Sequence, residues 1–170
     1  MSNIVLIGMP GSGKSTVGVV LAKHMGYRFV DSDLLIQERE NRLLSEIIAE
    51  DGLERFNTIE EEINAAIVSD RTVIATGGSV IYGPKAMEHL RRIGTVVYLK
   101  LSYEEVEERL GDLTERGVSV REDQTLRDLY EERVPLYEKY AHIIIDNEGK
   151  SIRNVVVEIK EEVREYERGL

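Results

Sequence analysis

The most specific chemical signal in the sequence is the segment GMPGSGKS at positions 8–15. It matches the phosphate-loop pattern and lies between a short apolar run and a helical pattern, which is the context that this motif needs. Its glycines let backbone amides curl around a phosphate, the Lys14 ammonium reaches the β- and γ-phosphate oxygens, and the Ser15 hydroxyl is suited to bind magnesium. The segment predicts a site for ATP and Mg²⁺. A glycine turn without a ligand is the weaker interpretation, because the spacing and both flanking patterns are met.

Two acids, Asp31 and Asp33, follow the second apolar run of the chain. They would lie at the carboxyl end of a strand, where open parallel sheets bind their ligands. We interpret Asp31 as a partner of magnesium or of its water ligands, and Asp33 as the group that orients and deprotonates an acceptor hydroxyl. The alternative is that one of the two acids only caps the helix that follows.

The segment TGGS at positions 76–79 follows the third apolar run and is expected at the same edge of the sheet. The paired glycines, Gly77 and Gly78, allow the backbone to approach a ligand closely. A tight turn without a ligand would explain them equally well. The motif alone therefore makes these residues candidates for acceptor binding and no more.

Arginines in the second half of the chain are candidates for neutralising phosphate charge. The segment 111–124 is polar, contains two glycines and lacks clear periodicity, which is typical of a lid loop that closes over a bound nucleotide. Within it, Arg116 is the candidate for stabilising the transferred phosphoryl group, with Arg121 and Arg127 as rivals and plain solvent exposure as the alternative. Arg133 follows in an acid-rich helical pattern, where a surface ion pair would also explain it.

The elements that must position these residues can be predicted from the apolar pattern. Five short apolar runs alternate with helical patterns, and the predicted strands are 4–7, 27–30, 72–75, 95–99 and 143–145. Because parallel crossovers place helices over a sheet, this order predicts an α/β fold, a single three-layer α/β/α domain over residues 1–170 with a five-stranded parallel sheet.

Two further features modify this plan. A helical segment at about 32–68, broken at Asp51-Gly52, is inserted after the second strand and is expected to bind substrate. Pro135 is expected to kink the helix predicted at about 125–140, because its ring clashes with the carbonyl of Glu131.

Composition narrows the class of partner. The chain has 170 residues, and its 32 acidic and 22 basic residues give a net charge of −10, which disfavours nonspecific binding to nucleic acid. It has no cysteine, which excludes thiol catalysis, thiolate metal sites and disulfides. No apolar run approaches the roughly 20 residues of a membrane span, and no charged leader precedes the first strand. We expect a cytoplasmic monomer that acts on a small-molecule acceptor, without a nucleic-acid or membrane partner.

Taken together, these motifs resemble the shikimate kinase family from Ile4 to about Asp146. Residues 8–15 are similar to that family's phosphate loop. Asp31-Ser32-Asp33 is similar to its acidic pair, of which the second acid binds substrate hydroxyls. The resemblance implies a P-loop kinase fold of the nucleoside-monophosphate-kinase-like type, with ATP and Mg²⁺ as cofactors.

The resemblance extends to the acceptor side and the lid. Gly77-Gly78-Ser79 is similar to a triple-glycine motif that contacts substrate, with Ser79 in place of the third glycine. Arg133 resembles the arginine that grips the substrate carboxylate, and Arg116 falls where the family has its lid arginine. The implied nucleotide contacts are Gly11, Ser12, Gly13, Lys14, Ser15, Thr16 and Arg109. The implied acceptor contacts are Asp33, Asn57, Gly77, Gly78, Ser79 and Arg133.

One departure from the family pattern affects the substrate. The family has an arginine, the second clamp on the carboxylate, where this chain has Asn57, three residues before Glu60. Arg55 does not replace it, because two residues along a helix correspond to a rotation of about 200°. Loss of a bidentate partner would weaken binding by about 1.5–3 kcal/mol, or roughly ten- to a hundredfold.

The sequence predicts a kinase that transfers a phosphoryl group from ATP to a hydroxyl of a small polar metabolite, with shikimate as the first candidate. A sugar acid, an amino-acid alcohol or a nucleotide remains an alternative acceptor, although Arg39 and Arg42 are followed by an acidic stretch that does not suit a second phosphate. A binding module that responds to nucleotide without acceptor chemistry is the alternative from another class.

Overall fold

The computed structural model describes residues 2–110, 121 and 123–170. The strands are β1 (Asn3–Ile7), β2 (Arg28–Asp31), β3 (Thr72–Ala75), β4 (Gly94–Lys100) and β5 (Ile143–Asp146). The α-helices are α1 (Lys14–Met25), α2 (Ser32–Glu40), α3 (Leu44–Asp51), α4 (Leu53–Ala65), α5 (Pro84–Ile93), α6 (Tyr103–Arg109), α7 (Leu126–Tyr140) and α8 (Ile152–Arg168), and a short 3₁₀ helix spans Val80–Tyr82.

The five strands form one parallel sheet in the order β2-β3-β1-β4-β5. All residues of β1 are buried, because the strand lies in the centre of the sheet and both sheet faces are covered. Val5 and Ile7 pack in the apolar cluster under α5 and α7, whereas Ile4 and Leu6 pack in the cluster under α1 and α8. The predicted α/β fold with three layers is confirmed.

Helices α2 to α4 lie between β2 and β3 and have a small apolar cluster of their own, formed by Ile36, Ile47, Phe56, Ile59 and Ile63. The predicted break at Asp51-Gly52 is confirmed, and Gly52 has a φ of 87°. The structure adds a second break at positions 41–43, where Asn41 ends α2 in the left-handed conformation with a φ of 54°. Asparagine tolerates this conformation better than most residues, so the break had a local cause.

Helix α7 runs from Leu126 to Tyr140 without interruption, with Pro135 inside it. Its N-terminus is capped by the Thr125 hydroxyl, which accepts from the Asp128 N–H. The predicted lid at 111–124, including Arg116, lies outside the described residues except for positions 121, 123 and 124. Over the described ranges, no helix combines the length and the hydropathy that a membrane crossing requires.

Candidate active site

The phosphate loop connects the central strand β1 to the N-terminus of α1. Gly11 and Gly13 have φ values of 78° and 89°, in the left-handed region that other residues rarely adopt. The loop is held in place by the residue that follows the edge strand β5, because the Asn147 side-chain amide donates to the Ser12 carbonyl over 2.5 Å. The result is a rigid turn at a helix N-terminus, which is the geometry that binds phosphate.

Lys14 is almost fully buried beneath this loop, with 7% of its surface exposed. Its ammonium donates to the carbonyls of Gly8 and Met9 over 2.8 and 2.9 Å. Burial lowers the pKa of Lys14 to about 8, and the nearby Asp33 carboxylate opposes this shift. An inward-facing cation in a glycine turn fits the polyphosphate of a nucleotide.

Ser15 and Asp31 meet at the entrance of the loop. The Ser15 hydroxyl donates to Asp31 Oδ2 over 2.7 Å, while Asp31 Oδ1 accepts from the Asp33 N–H over 3.0 Å. Asp31 therefore caps α2, as the structural alternative expected, and at the same time lies against the serine of the phosphate loop. A hydroxyl and a carboxylate are the oxygen ligands that Mg²⁺ prefers, so the pair fits this cation together with nucleotide phosphates.

Asp33 lies in the first turn of α2 and faces Gly77. Its Oδ1 atom is buried without a hydrogen-bond partner among the described residues. Burial raises the pKa of Asp33 to about 6, and the neighbouring Asp31 carboxylate contributes to the rise. A side chain on Gly77 would place its Cβ 2.5 Å from Asp33 Oδ1, so this carboxylate can pack against residue 77 only because residue 77 is glycine.

Glu60 is a member of this site that the sequence-based assignment missed. It is only 2% exposed, and its Oε1 accepts from the Ser79 hydroxyl over 2.6 Å. Burial raises the pKa of Glu60 to about 8, although the Ser79 hydrogen bond opposes the rise. The available signal was an acid on the otherwise apolar face of α4, between Ile59 and Ile63.

Arg133 reaches the site from α7 and is fully buried. Its Nε donates to the Tyr82 hydroxyl over 3.3 Å, and its guanidinium carbon lies 5.3 Å from the centre of the Tyr82 ring. The alternative of a surface ion pair is wrong, because no part of the side chain reaches the surface. Tyr137, one turn along α7, donates to the Gly78 carbonyl over 2.6 Å and so fixes the glycine turn beside the arginine.

A single cavity of about 380 Å³ brings the two halves of the candidate site together. Ten of the residues that the sequence singled out line it: Gly11, Gly13, Lys14, Ser15, Thr16, Asp33, Gly77, Gly78, Ser79 and Arg133. Ser12 belongs to the same phosphate loop, and Asp31 accepts a hydrogen bond from Ser15, which lines the cavity. Nucleotide-side and acceptor-side groups therefore face the same space.

The remaining candidates lie around this cavity. Arg109 donates to the Gly11 carbonyl over 3.1 Å and to Glu105 over 2.8 Å, so it lies on the rim of the phosphate loop. Asn57 lines a neighbouring cavity of about 370 Å³ together with Tyr82, Arg121 and Glu132.

The rivals to Arg116 have carboxylate partners. The Arg121 guanidinium lies 3.3 Å from Glu132, and the Arg127 guanidinium lies 3.8 Å from Glu131. Arg116 itself is outside the described residues.

Comparison with known proteins gives a consistent result. The family model described as shikimate kinase matches residues 10–164. The shikimate kinase of Thermodesulfovibrio yellowstonii is 40% identical over 171 residues, which cover 99% of this chain and 96% of that protein.

Solved structures agree with the sequence comparison. The shikimate kinase from Acinetobacter baumannii in complex with shikimate superposes with a TM-score of 0.83 at 29% identity, over 97% of this chain and 94% of that one. The shikimate kinase from Aquifex aeolicus gives a TM-score of 0.82 at 32% identity, over 95% and 96% of the two chains. The resemblance inferred from the motifs is thereby confirmed, and the chain belongs to the shikimate kinase family.

Proposed function

We propose that this protein transfers the γ-phosphoryl group of ATP to a hydroxyl of shikimate, with Mg²⁺ as cofactor. The observation that carries the proposal is that Lys14 of the phosphate loop, the Asp33 carboxylate and the buried Arg133 guanidinium line one cavity. A kinase needs a phosphate site, a hydroxyl acceptor and a group for the substrate's charge within reach of each other. The relatives reported above are named for the same substrate.

The residues divide the reaction between them. Lys14 and the amides of the phosphate loop hold the β- and γ-phosphates, while Ser15 and Asp31 would hold Mg²⁺, which neutralises phosphate charge when bound. Asp33 orients the acceptor hydroxyl and takes its proton as the bond from the acceptor oxygen to phosphorus forms and the bond to the ADP oxygen breaks. Arg133 binds the acceptor carboxylate as a charge-assisted, bidentate partner.

The presence of Arg133 and Asp33 in one cavity also favours shikimate over acceptors that lack a carboxylate. A buried arginine beside a carboxylate suits an acceptor that carries both an acid and hydroxyl groups, as shikimate does. We place the reaction in the cytoplasm, where ATP is available.

The test is shikimate-dependent release of ADP by the purified protein with MgATP, with the product identified by phosphorus NMR. Lys14→Ala serves as the matched control, because the fold should survive while phosphoryl transfer is nearly abolished. Circular dichroism would establish that the variant is folded. Absence of shikimate-dependent ADP release by the wild type, while another hydroxy acid is phosphorylated, would overturn the acceptor assignment.

A further inference from the structure

Tyr82 and Glu132 connect the buried Arg133 to groups outside the candidate active site. Both residues line the neighbouring cavity of about 370 Å³, whereas Arg133 lines the cavity of about 380 Å³ in which we place the reaction. The function proposed above assigns no role to either residue. Their hydrogen bonds nevertheless lead directly to the arginine that binds the acceptor.

The Tyr82 hydroxyl makes two hydrogen bonds, one as acceptor and one as donor. It accepts from Arg133 Nε over 3.3 Å and donates to Glu132 Oε2 over 3.1 Å. An arginine cannot accept a hydrogen bond and an ionised carboxylate cannot donate one, so the single hydroxyl proton must lie toward Glu132. The residue types alone therefore fix the direction of both bonds.

Glu132 is held in place as an ionised acceptor. Gln124 Nε2 donates to Glu132 Oε2 over 2.5 Å, and the Arg121 guanidinium lies 3.3 Å from Oε1. Burial tends to raise the pKa of Glu132, but the hydrogen bonds that it accepts outweigh burial and hold the pKa below its usual value. The carboxylate is thus charged at neutral pH and keeps the Tyr82 proton away from Arg133.

Occupation of Nε limits how Arg133 can pair with a ligand. A guanidinium binds a carboxylate bidentately either through Nε and one terminal nitrogen or through both terminal nitrogens. Tyr82 takes the Nε–H, while Nη1 lies beside Gly78, which lines the acceptor cavity together with Arg133. A carboxylate that pairs bidentately with Arg133 is thereby directed to the two terminal nitrogens.

We propose that Tyr82, with its proton held by Glu132, is a positioning residue that orients the Arg133 guanidinium for end-on pairing with the acceptor carboxylate. Both residues act through Arg133, and neither is assigned a contact with the substrate. The inference rests on the proposed function, in which Arg133 binds that carboxylate. Because Asn57 replaces the family's second arginine, the orientation of Arg133 matters more here than it would with two clamps.

The test compares shikimate with its methyl ester, which has the same hydroxyls but no negative charge, as acceptors at saturating MgATP. Tyr82→Phe keeps the ring and removes both hydrogen bonds, so KM for shikimate should rise about tenfold, with kcat and the KM for ATP within about twofold of the wild type. The kcat/KM for the ester should change less than about twofold. The preference for the acid over the ester should consequently fall about tenfold, whereas a merely structural role would lower both values equally.

Glu132 variants test the second bond while leaving Tyr82 in place. Glu132→Ala removes the acceptor of the Tyr82 proton and should raise KM for shikimate about threefold or more. Glu132→Gln retains an acceptor oxygen and should raise it less than about twofold. Because the two residues act in one chain of bonds, Tyr82→Phe combined with Glu132→Ala should be no worse than Tyr82→Phe alone.

Tyr103→Phe is the matched control. The Tyr103 hydroxyl also donates to a carboxylate, that of Glu107 over 2.9 Å, but Tyr103 lines neither cavity. Its removal should leave KM for shikimate within about 1.5-fold of the wild type. Thermal unfolding of every variant establishes that it is folded, and Glu132→Ala carries the test should Tyr82→Phe be unstable.

Three results would overturn the inference. They are an unchanged KM for shikimate in the folded Tyr82→Phe enzyme, equal losses for the acid and the ester, and losses that add in the double variant. A wild type without shikimate turnover would instead refute the proposed function, so the two failures can be told apart.

Discussion

Gly77→Ala is the smallest change that should disable acceptor binding without touching the nucleotide side. The added methyl would lie 2.5 Å from Asp33 Oδ1 and 2.7 Å from Glu60 Oε2, whereas ordinary contact begins at 3.4 Å. The two oxygens must therefore retreat by about 0.9 and 0.7 Å, which displaces the carboxyl groups of Asp33 and Glu60 from their present positions. Misplacement of catalytic groups by about 1 Å can cost roughly 10²-fold in rate.

We therefore expect kcat/KM for shikimate to fall by about 10²-fold in Gly77→Ala, with the affinity for ATP changed less than about twofold. Overpacking should also lower the stability by about 1–3 kcal/mol, or a few degrees in Tm. Steady-state ADP release and a nucleotide titration measure the two effects separately.

Gly169→Ala is the matched control. Its Cβ would meet only the Tyr166 carbonyl at 3.5 Å, and its φ of −79° suits alanine. A folded Gly77→Ala enzyme with kcat/KM within about threefold of the wild type would refute the reasoning, because the carboxylates would then have no fixed relation to the acceptor.

Three further changes test the site. Asp33→Asn should lower kcat by about 10² or more with unchanged ATP affinity, and an equal loss of ATP binding would move Asp33 to the metal site. Asn57→Arg should lower KM for shikimate about tenfold by restoring a second carboxylate partner, whereas an unchanged KM would indicate that the new arginine pairs with Glu132 across their shared cavity. Glu60 keeps its proton in the folded protein up to about pH 8 but loses it in the unfolded chain above about 4.5, so its presence destabilises the fold progressively across that interval. The Tm advantage of Glu60→Gln over the wild type should consequently grow from pH 5 to 8 in thermal scans, and a constant difference would contradict the assigned pKa.

The strands and the phosphate loop could be predicted because their causes are local. Ile4 to Ile7 is a continuous apolar run, as a strand buried on both faces requires, and residues 8–15 carry the glycines that the left-handed turn needs. The second break in the inserted helices was missed, although Asn41 marked it. The burial of Arg133 could also have been predicted, because Leu129, Arg133 and Tyr137 follow one another at helical spacing on the buried face of α7.

The hydrogen bond between Glu60 and Ser79 could not be predicted from local pattern, although an acid on the apolar face of α4 marked Glu60 itself. Its partner Ser79 is 19 positions away in the sequence and belongs to a different element, so only the packing of α4 against the 3₁₀ helix brings the two together. Asn57 shows the converse, since residues that are close in the sequence can face different cavities. It precedes Glu60 by three residues, yet it faces the neighbouring cavity, because three residues along a helix turn the side chain by about 300° and leave it about 60° from the direction of Glu60.

The strand order also determines when the sheet and the phosphate loop can form during synthesis of the chain. β1 is made first, but its edge toward β3 stays open until residue 75 has been added, and its edge toward β4 stays open until residue 100 has been added. The loop that follows β1 receives its last fastening only when Asn147 is made. The phosphate loop is therefore incompletely fastened in the nascent chain, and the pairing of Asn3 with Gly94 spans more of the sequence than the pairings in the other described strand pairs. Non-local pairing of this kind folds slowly and is open to aggregation, so we expect nascent chains shorter than about 100 residues to depend on chaperones that cover β1.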